Sequence, residues 1–205
     1  MKHAERRSPE LLLASQSATR RQLLSAVGLA FEAVAPGVDE AEIKRSMAAE
    51  QASGDAVAQA LAELKAVRVS MRRPGALVIG ADLVLVCQGQ LYDKAHDLAE
   101  ARANLLQFAG RMHELPCAVA VARDGAVIWR HLERPRLHMR SMPAEDIDRY
   151  LAQVGEEALH SVGAYHLEGR GAQLFERVEG DFFSVLGLPL LPLLAFLRTH
   201  DIVPG

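Results

Sequence analysis

The sequence predicts an α/β protein in which a mixed β-sheet carries helices on its faces. Two observations support this fold class. Short apolar runs typical of buried strands alternate with longer segments in which apolar residues recur every three or four positions, as in amphipathic helices. Further along, Asp124-Gly125 separates two apolar runs and predicts a β-hairpin, which adds antiparallel pairing to the sheet.

The first half of the chain predicts alternating strands and helices. The helical pattern over 41–71 depends on Val57, Leu61, Leu64 and Val67, which recur at spacings of four and three. In chain order the elements are a strand over 10–14, a helix with Leu23, Leu24 and Val27 on one face that stops at Gly28, a strand over 31–35 before Pro36-Gly37, the helical segment 41–71, a strand over 76–87 and a helix marked by Leu98, Ala101, Leu105 and Phe108.

The second half predicts strands first and helices later. Pro135 within the run 134–140 indicates an edge strand or a bulge, because proline cannot donate to a ladder. Pro143, Glu145 and Asp146 suit the start of a helix. The remaining elements are the hairpin strands 117–122 and 126–130, strands over 172–178 and 182–186, and a closing helix over 190–197.

Length and composition fit a single domain spanning 1–205. The chain has 205 residues, half of them hydrophobic, and a formal net charge of -3, which gives no support for nucleic acid as a partner. The two cysteines, Cys87 and Cys117, form no Cys-x-x-Cys pair and lie in apolar runs, so a reducing compartment and buried thiols are expected.

The start of the chain argues for a cytoplasmic protein. Residues 1–7 are charged, and the following apolar run 11–14 is too short for a signal peptide. No stretch approaches the roughly 18 apolar residues that a membrane span needs. We therefore expect no membrane partner.

The turn Ser15-Gln16-Ser17-Ala18-Thr19-Arg20-Arg21 is the first candidate for chemistry. A helix N-terminus offers free N–H groups, and the hydroxyls and two arginines add donors suited to phosphate. An ordinary N-cap explains Ser and Thr at this place equally well. The turn is not a P-loop, because it lacks the Gly-x-x-x-x-Gly-Lys pattern.

Four further residues have both a functional and a structural interpretation. Asp82 interrupts an apolar strand, so it is either a functional acid or a structural carboxylate bound to backbone. Glu40, after Asp39, belongs to a site or to a solvated turn. Lys65 is either a site cation or an ordinary surface lysine. Lys94 is either a site cation or the partner of Asp93 in a surface ion pair.

Taken together, these residues favour phosphate chemistry. Arg20, Arg21, Lys65 and Lys94 could neutralise a triphosphate, and the carboxylates of Glu40 and Asp82 could hold Mg²⁺ or activate water. No His-x-x-x-His or Gly-x-Ser-x-Gly pattern occurs, which argues against a zinc site and a serine hydrolase; His113, His160 and His166 are expected to be surface or hydrogen-bonded residues.

The order of motifs resembles the Maf-like family of nucleoside triphosphate pyrophosphatases, over about residues 11–197. No single motif decides this, but their order and spacing are specific. The matching segments are Leu13-Ala14-Ser15-Gln16-Ser17-Ala18-Thr19-Arg20-Arg21, Asp39-Glu40, Leu61-Ala62-Glu63-Leu64-Lys65-Ala66, Gly80-Ala81-Asp82, Ala109-Gly110-Arg111-Met112-His113, Gly163-Ala164-Tyr165, Glu179-Gly180-Asp181 and Val185-Leu186-Gly187-Leu188-Pro189-Leu190.

The resemblance implies a long bent sheet with two lobes and a central cleft, similar to inosine triphosphatases. It also implies cleavage of a nucleoside triphosphate to the monophosphate and pyrophosphate with a divalent cation, Mg²⁺ or Mn²⁺. Family members often form homodimers and are linked to cell division. By this resemblance Asp82 is the proton acceptor and metal ligand, Glu40 is a metal ligand, and the substrate-binding residues are Ser15, Ser17, Arg20, Lys65 and Lys94.

In the family, the nucleobase of the substrate is selected by residues at positions that match Thr19, Leu83 and Glu168. Glu168 resembles the branch that prefers 7-methyl-GTP, whereas the dTTP and UTP branch has glutamine there. Two departures concern the phosphate residues, since the family's proline after Ser17 is Ala18 and its Gly-Lys-Pro is Asp93-Lys94-Ala95. We expect Asp93 to neutralise part of the charge of Lys94.

Two functions from different classes follow. The first is a house-cleaning pyrophosphatase that removes non-standard or modified nucleotides. The second is a nucleotide-binding regulator of cell division with weak or lost catalysis, which Leu83, Asp93 and Ala95 would favour. A scaffold protein would leave the cations and carboxylates unexplained.

Overall fold

The computed structural model describes residues 9–204, so the charged start at residues 1–7 lies outside the described part. The predicted α/β class is confirmed, with two five-stranded sheets that carry helices. No helix among residues 9–204 is long and apolar enough to cross a membrane. The elements in chain order are β1 (Leu11–Leu13), α1 (Ala18–Ala26), β2 (Glu32–Ala33), α2 (Glu40–Ala49), α3 (Gly54–Ser70), β3 (Leu77–Leu83), β4 (Leu85–Cys87), β5 (Gln90–Tyr92), α4 (Leu98–Phe108), β6 (Met112–Glu114), β7 (Cys117–Arg123), β8 (Ala126–Glu133), β9 (Arg136–Met139), α5 (Ala144–Val154), 3₁₀ turns at Gly155–His160 and Arg170–Leu174, β10 (Phe175–Glu179), α6 (Phe182–Val185) and α7 (Leu190–Arg198).

The first sheet has the strand order β2-β1-β3-β7-β8. Strands β2, β1 and β3 are parallel, whereas β7 and β8 form the predicted antiparallel hairpin. Asp124 and Gly125 both have positive φ at its turn, as a tight hairpin of the mirror-image turn type requires.

Both faces of the first sheet are covered, and the alternation of side chains decides which helix meets which residue. Leu11 and Leu13 pack with α1 and α7, whereas Leu12 and Val78 face α3. The buried side of α3 includes Ala58, Leu61, Ala62 and Ala66.

The second sheet has the order β10-β9-β6-β4-β5 and is antiparallel throughout. It shares a core with α4 and α5 through residues such as Phe108, Leu137 and Ile147. The chain passes between the sheets at Val84, at Leu115-Pro116 and at Arg134-Pro135. Because proline has no N–H, Pro116 and Pro135 interrupt the ladder at two of these crossings, and the sheets bend there.

Several expectations about single elements need correction or refinement. The segment 182–186 is helical instead of a strand, because Asp181 accepts hydrogen bonds from the Ser184 backbone N–H and hydroxyl and starts a helical turn. Strand β9 is internal, between β10 and β6, because Pro135 lies just before it; the irregularity in its pairing with β10 lies between Phe175 and Arg177 instead of at Pro135. Residues 170–174 form a 3₁₀ turn before β10 begins at Phe175. The helical pattern over 41–71 is confirmed as two helices, which are separated where Gln51 has positive φ.

The predicted apolar stripes also need correction. In α3, Leu64 is exposed, whereas the alanines and Lys65 are buried. In α1, Leu24 is buried but Val27 is exposed. Alanine fills the contact face because α3 lies close to the sheet, where larger side chains would not fit.

Candidate active site

A cavity of about 970 Å³ lies in the cleft between the two sheets, and all ten predicted site residues line it. They come from six separate parts of the chain, which the fold brings together. These residues are Ser15, Ser17, Thr19, Arg20, Glu40, Lys65, Asp82, Leu83, Lys94 and Glu168.

The turn after β1 is both a helix cap and part of the cavity wall. Ser17 is the N-cap of α1, and its hydroxyl accepts a hydrogen bond from the Arg20 backbone N–H at 3.3 Å. The Ser15 hydroxyl accepts from the Ser17 N–H at 3.2 Å and from Arg20 Nη1 at 3.3 Å. The N-cap alternative is therefore confirmed, and capping leaves these residues on the cavity wall.

Arg20 is held from two sides. Its Nε donates to the carbonyl oxygen of Gly187 at 2.8 Å, in addition to the contact with Ser15. A guanidinium fixed in this way keeps further N–H groups for an anion. Arg21, by contrast, is exposed and is not among the residues that line the cavity.

Lys65 forms the centre of a buried ionic group. Its Nζ lies 2.6 Å from Asp82 Oδ1 and 2.8 Å from Glu40 Oε1, and the residue is only 4% exposed. The alternative of a surface lysine was therefore wrong. A charge so far removed from water requires close partners, which the two carboxylates supply.

Asp82 lies on β3 with only one of its two oxygens paired within the described residues. Oδ1 accepts a hydrogen bond from Lys65 Nζ, whereas the buried Oδ2 has no hydrogen-bond partner among the described residues. The structural alternative of a carboxylate bonded to backbone does not describe this arrangement, because the partner is a lysine side chain. A buried carboxylate oxygen in a cleft that accepts no bond is available for a proton or a cation.

These carboxylates suit a divalent cation. Mg²⁺ usually binds through one or two carboxylates together with substrate phosphates. Asp82 Oδ2 is an unpaired acceptor, and the Glu40 side chain is 43% exposed at the start of α2. No group of three His, Cys, Asp or Glu residues with metal-binding geometry occurs in residues 9–204, so any cation would need further ligands from the substrate.

Lys94 faces the cavity from the loop after β5, and the expected pair with Asp93 does not form. Asp93 instead makes an ion pair with Lys44 on α2. Among residues 9–204 no carboxylate lies within 4.0 Å of the Lys94 ammonium group. Adjacent residues in an extended loop point in different directions, which separates Lys94 from Asp93.

The residues expected to choose the base all line the cavity: Thr19, Leu83 and Glu168. Leu83 follows Asp82 at the end of β3, and Glu168 lies in the loop before the second 3₁₀ turn. Glu168 Oε1 lies 3.8 Å from His166 Nδ1, and His166 Nε2 is 3.1 Å from the carbonyl oxygen of Glu157. These three positions therefore give the cavity wall one hydroxyl, one apolar side chain and one carboxylate.

Sequence reasoning missed two cations of the cavity wall. Lys44 and Arg45 line it from α2. Lys44 stands four residues after Glu40, a spacing that places both on one face of a helix and that could have identified it.

Of the three histidines considered above, His113 lies in the core, whereas His160 and His166 line the cavity. His113 is fully buried, with Nε2 2.7 Å from the Tyr165 hydroxyl, and His160 is exposed. Both cysteines are free and buried, and burial raises the pKa of the Cys117 thiol far above its ordinary value.

Comparison with known proteins gives one consistent family. The family model described as Maf-like protein matches residues 10–200. A nucleoside triphosphate pyrophosphatase of Granulibacter bethesdensis is 53% identical over 192 residues, which cover 94% of this chain and 98% of that protein. A 7-methyl-GTP pyrophosphatase of Rhizobium johnstonii is 48% identical over 198 residues, 97% of this chain and all of that protein.

Proposed function

The chain belongs to the family of Maf-like proteins, and on that premise we propose that it hydrolyses a nucleoside triphosphate to the monophosphate and pyrophosphate. The observation that carries the proposal is the Glu40–Lys65–Asp82 group, in which a buried carboxylate keeps one free oxygen beside fixed cations. The same group argues against a regulator without catalysis, because Asp93 and Ala95 leave it intact.

In this proposal, residues in the first half of the chain bind the phosphates of the substrate. Ser15, Ser17 and Arg20 contact phosphate oxygens at the start of α1, where the Arg20 guanidinium lies beside the Ser15 hydroxyl and keeps further N–H groups for an anion. Lys94 adds a cation from the opposite side of the cavity. Phosphoryl transfer requires mainly positioning and charge neutralisation, which these residues provide.

Water is activated by Asp82. Lys65 holds Oδ1, so that Oδ2 accepts a proton from a water molecule as its oxygen bonds to the α-phosphorus. The bond from the α-phosphorus to the oxygen that bridges to the β-phosphate breaks, and pyrophosphate leaves with that oxygen. Glu40 and Asp82 would hold Mg²⁺ or Mn²⁺, which supplies charge neutralisation on the phosphates when bound.

We further propose that a modified purine such as 7-methyl-GTP is a preferred substrate, in keeping with removal of non-standard nucleotides. The 7-methylguanine ring carries a positive charge, and the Glu168 carboxylate is a suitable partner for it. Leu83 contributes apolar contact to a ring but no hydrogen bond. Four of the relatives are named 7-methyl-GTP pyrophosphatases, at 44–50% identity.

The test is pyrophosphate release with Mg²⁺ from a panel of 7-methyl-GTP, GTP, dTTP and UTP. We expect turnover with 7-methyl-GTP favoured, and Asp82→Asn to lower kcat by about 10²–10⁴-fold, because amide nitrogen and oxygen are poor proton acceptors. Asp148→Asn, on the exposed face of α5, is the matched control and should stay within about twofold.

Two results would overturn this assignment. Wild-type protein that cleaves no member of the panel would exclude the activity on these substrates. An Asp82→Asn variant that is folded by circular dichroism and as fast as wild type would exclude Asp82 as the proton acceptor.

A further inference from the structure

A cation that matches none of the family motifs quoted above lies in the cavity wall. Lys44 comes from α2, and its side chain is 24% exposed. Its only carboxylate partner among residues 9–204 is Asp93, which belongs to the loop after β5 on the other side of the cleft. The ion pair therefore joins the two sides of the cavity.

The position of Lys44 follows from that of Glu40. The two residues lie four apart on α2 and share one face of the helix. Glu40 reaches inward to Lys65 at 2.8 Å. Lys44 thus lies one turn further along the same helix face, beside the group where the triphosphate is cleaved in the proposed function.

Charge shows why a further cation is needed. Lys65 is already neutralised by Glu40 and Asp82, so its ammonium contributes little net charge to the cavity. Arg20, Lys94 and a divalent cation together carry four positive charges, about those of a fully ionised triphosphate, so the one net negative charge of the Glu40–Lys65–Asp82 group is left without a counter-charge. Lys44 and Arg45 bring the wall toward neutrality with a bound substrate.

The partner of Lys44 is weak enough to be displaced. The Asp93 side chain is 68% exposed, and exposed pairs of this kind change an equilibrium constant by at most about fivefold. A phosphate group in the cleft carries more charge and is better shielded from water, so it is the stronger partner for an ammonium group.

We infer that Lys44 is a substrate-binding residue whose ammonium group exchanges Asp93 for a phosphate oxygen when the triphosphate enters. This inference rests on the proposed function. Asp93 is then a competing counter-ion: it holds Lys44 at the cavity in the free protein and is released on binding.

The test compares Lys44→Met, Asp93→Asn and the double variant. Lys44→Met should raise KM about tenfold with kcat changed much less, and Lys44→Arg should restore most of the affinity. Asp93→Asn should lower KM, by up to about fivefold, because the competitor is removed. In the Lys44→Met background Asp93→Asn should have no further effect.

Binding of inorganic tripolyphosphate, measured by calorimetry, gives a second readout without turnover. Its Kd should rise about tenfold in Lys44→Met. Arg149→Met removes one positive charge from an exposed position on α5 and should leave this Kd unchanged. The control separates a local contact from a general loss of charge.

A rise in KM for Asp93→Asn, instead of the expected fall, would overturn the inference. If that variant raises KM as Lys44→Met does, the pair only holds α2 in place. Unchanged tripolyphosphate binding in Lys44→Met would also refute it. Wild-type protein that binds tripolyphosphate through Lys44 but cleaves no nucleotide would refute the proposed function and leave this inference standing.

Discussion

The side chain of His113 has no contact with water and lies in the core behind the second sheet. The rings of Phe108, Tyr165 and Phe175 surround it, with centroids 5.2–5.8 Å away. Tyr165 also lines the cavity, so the hydrogen bond between these residues fixes part of its wall. Burial lowers the pKa of His113 to about 4, and His138 nearby acts in the same direction.

This burial makes stability depend on pH. In the unfolded chain His113 has an ordinary pKa near 6.5, so acid protonates the unfolded state first. The stabilisation is present above pH 6.5 and is lost as the pH falls through the range from 6.5 to about 4. Between pH 7 and pH 5 the loss should be about 2 kcal/mol.

Urea unfolding of His113→Gln measures this contribution. The variant has no titrating group at this place, so its free energy of unfolding should fall less between pH 7 and pH 5 than that of the wild type. His160→Gln, at an exposed position, should keep the wild-type slope. Equal slopes for all three proteins would contradict the assignment to His113.

At the scale of elements, the contact between α3 and β3 positions the ionic group. Lys65 lies on α3 and Asp82 on β3, so their 2.6 Å contact depends on the spacing between the two elements. Gly80 permits that spacing, because a Cβ there would lie 2.2 Å from the Ala62 carbonyl oxygen and 2.7 Å from the Ala66 nitrogen. Both neighbours are backbone atoms and cannot turn aside.

We therefore expect Gly80→Ala to destabilise the protein by about 2 kcal/mol or more and to lower kcat by shifting Lys65. Thermal unfolding and pyrophosphate release measure the two effects. Gly169→Ala is the matched control, since its φ is -128° and the nearest atom to a new Cβ is 3.7 Å away. It should stay within about 0.5 kcal/mol of the wild type. A stable, active Gly80→Ala protein would show that α3 is not held by this contact.

At the scale of the whole molecule, the proposed function has the triphosphate and the base of the substrate bound by different parts of the chain. The candidate phosphate residues lie near the first sheet, except for Lys94 after β5, whereas Glu168 lies in a loop that packs on the core of the second sheet. Recognition of the base and of the triphosphate should therefore be separable. This separation follows from the bend between the sheets, which places the cavity between them.

Glu168→Gln tests the separation. It should raise KM for 7-methyl-GTP about three- to tenfold, because the attraction to a cationic ring is lost, and change KM for GTP much less. Calorimetric binding of tripolyphosphate should be unchanged. An equal loss for both nucleotides would mean that Glu168 does not distinguish the charge of the base.

Much of the site could be predicted because its residues stand at fixed places in local motifs. Ser17 and Arg20 belong to a turn whose capping is a local property, and Asp82 was conspicuous as a carboxylate in an apolar strand. The pair of Lys44 and Asp93 could not be predicted in this way. It joins residues 49 positions apart, and although the spacing from Glu40 places Lys44 on the site face of α2, no local feature identifies Asp93 as its partner.

By itself the sequence determined the fold class, the main helices and strands, the hairpin turn and the membership of the family, because periodicity, turn chemistry and motif order are local properties. The tertiary structure decided which strands are internal, how close α3 approaches the first sheet and which ionic partner each lysine takes. Those features depend on distances between segments far apart in the chain. The central example is Lys65, which a sequence cannot distinguish from a surface lysine but which the fold buries between Glu40 and Asp82.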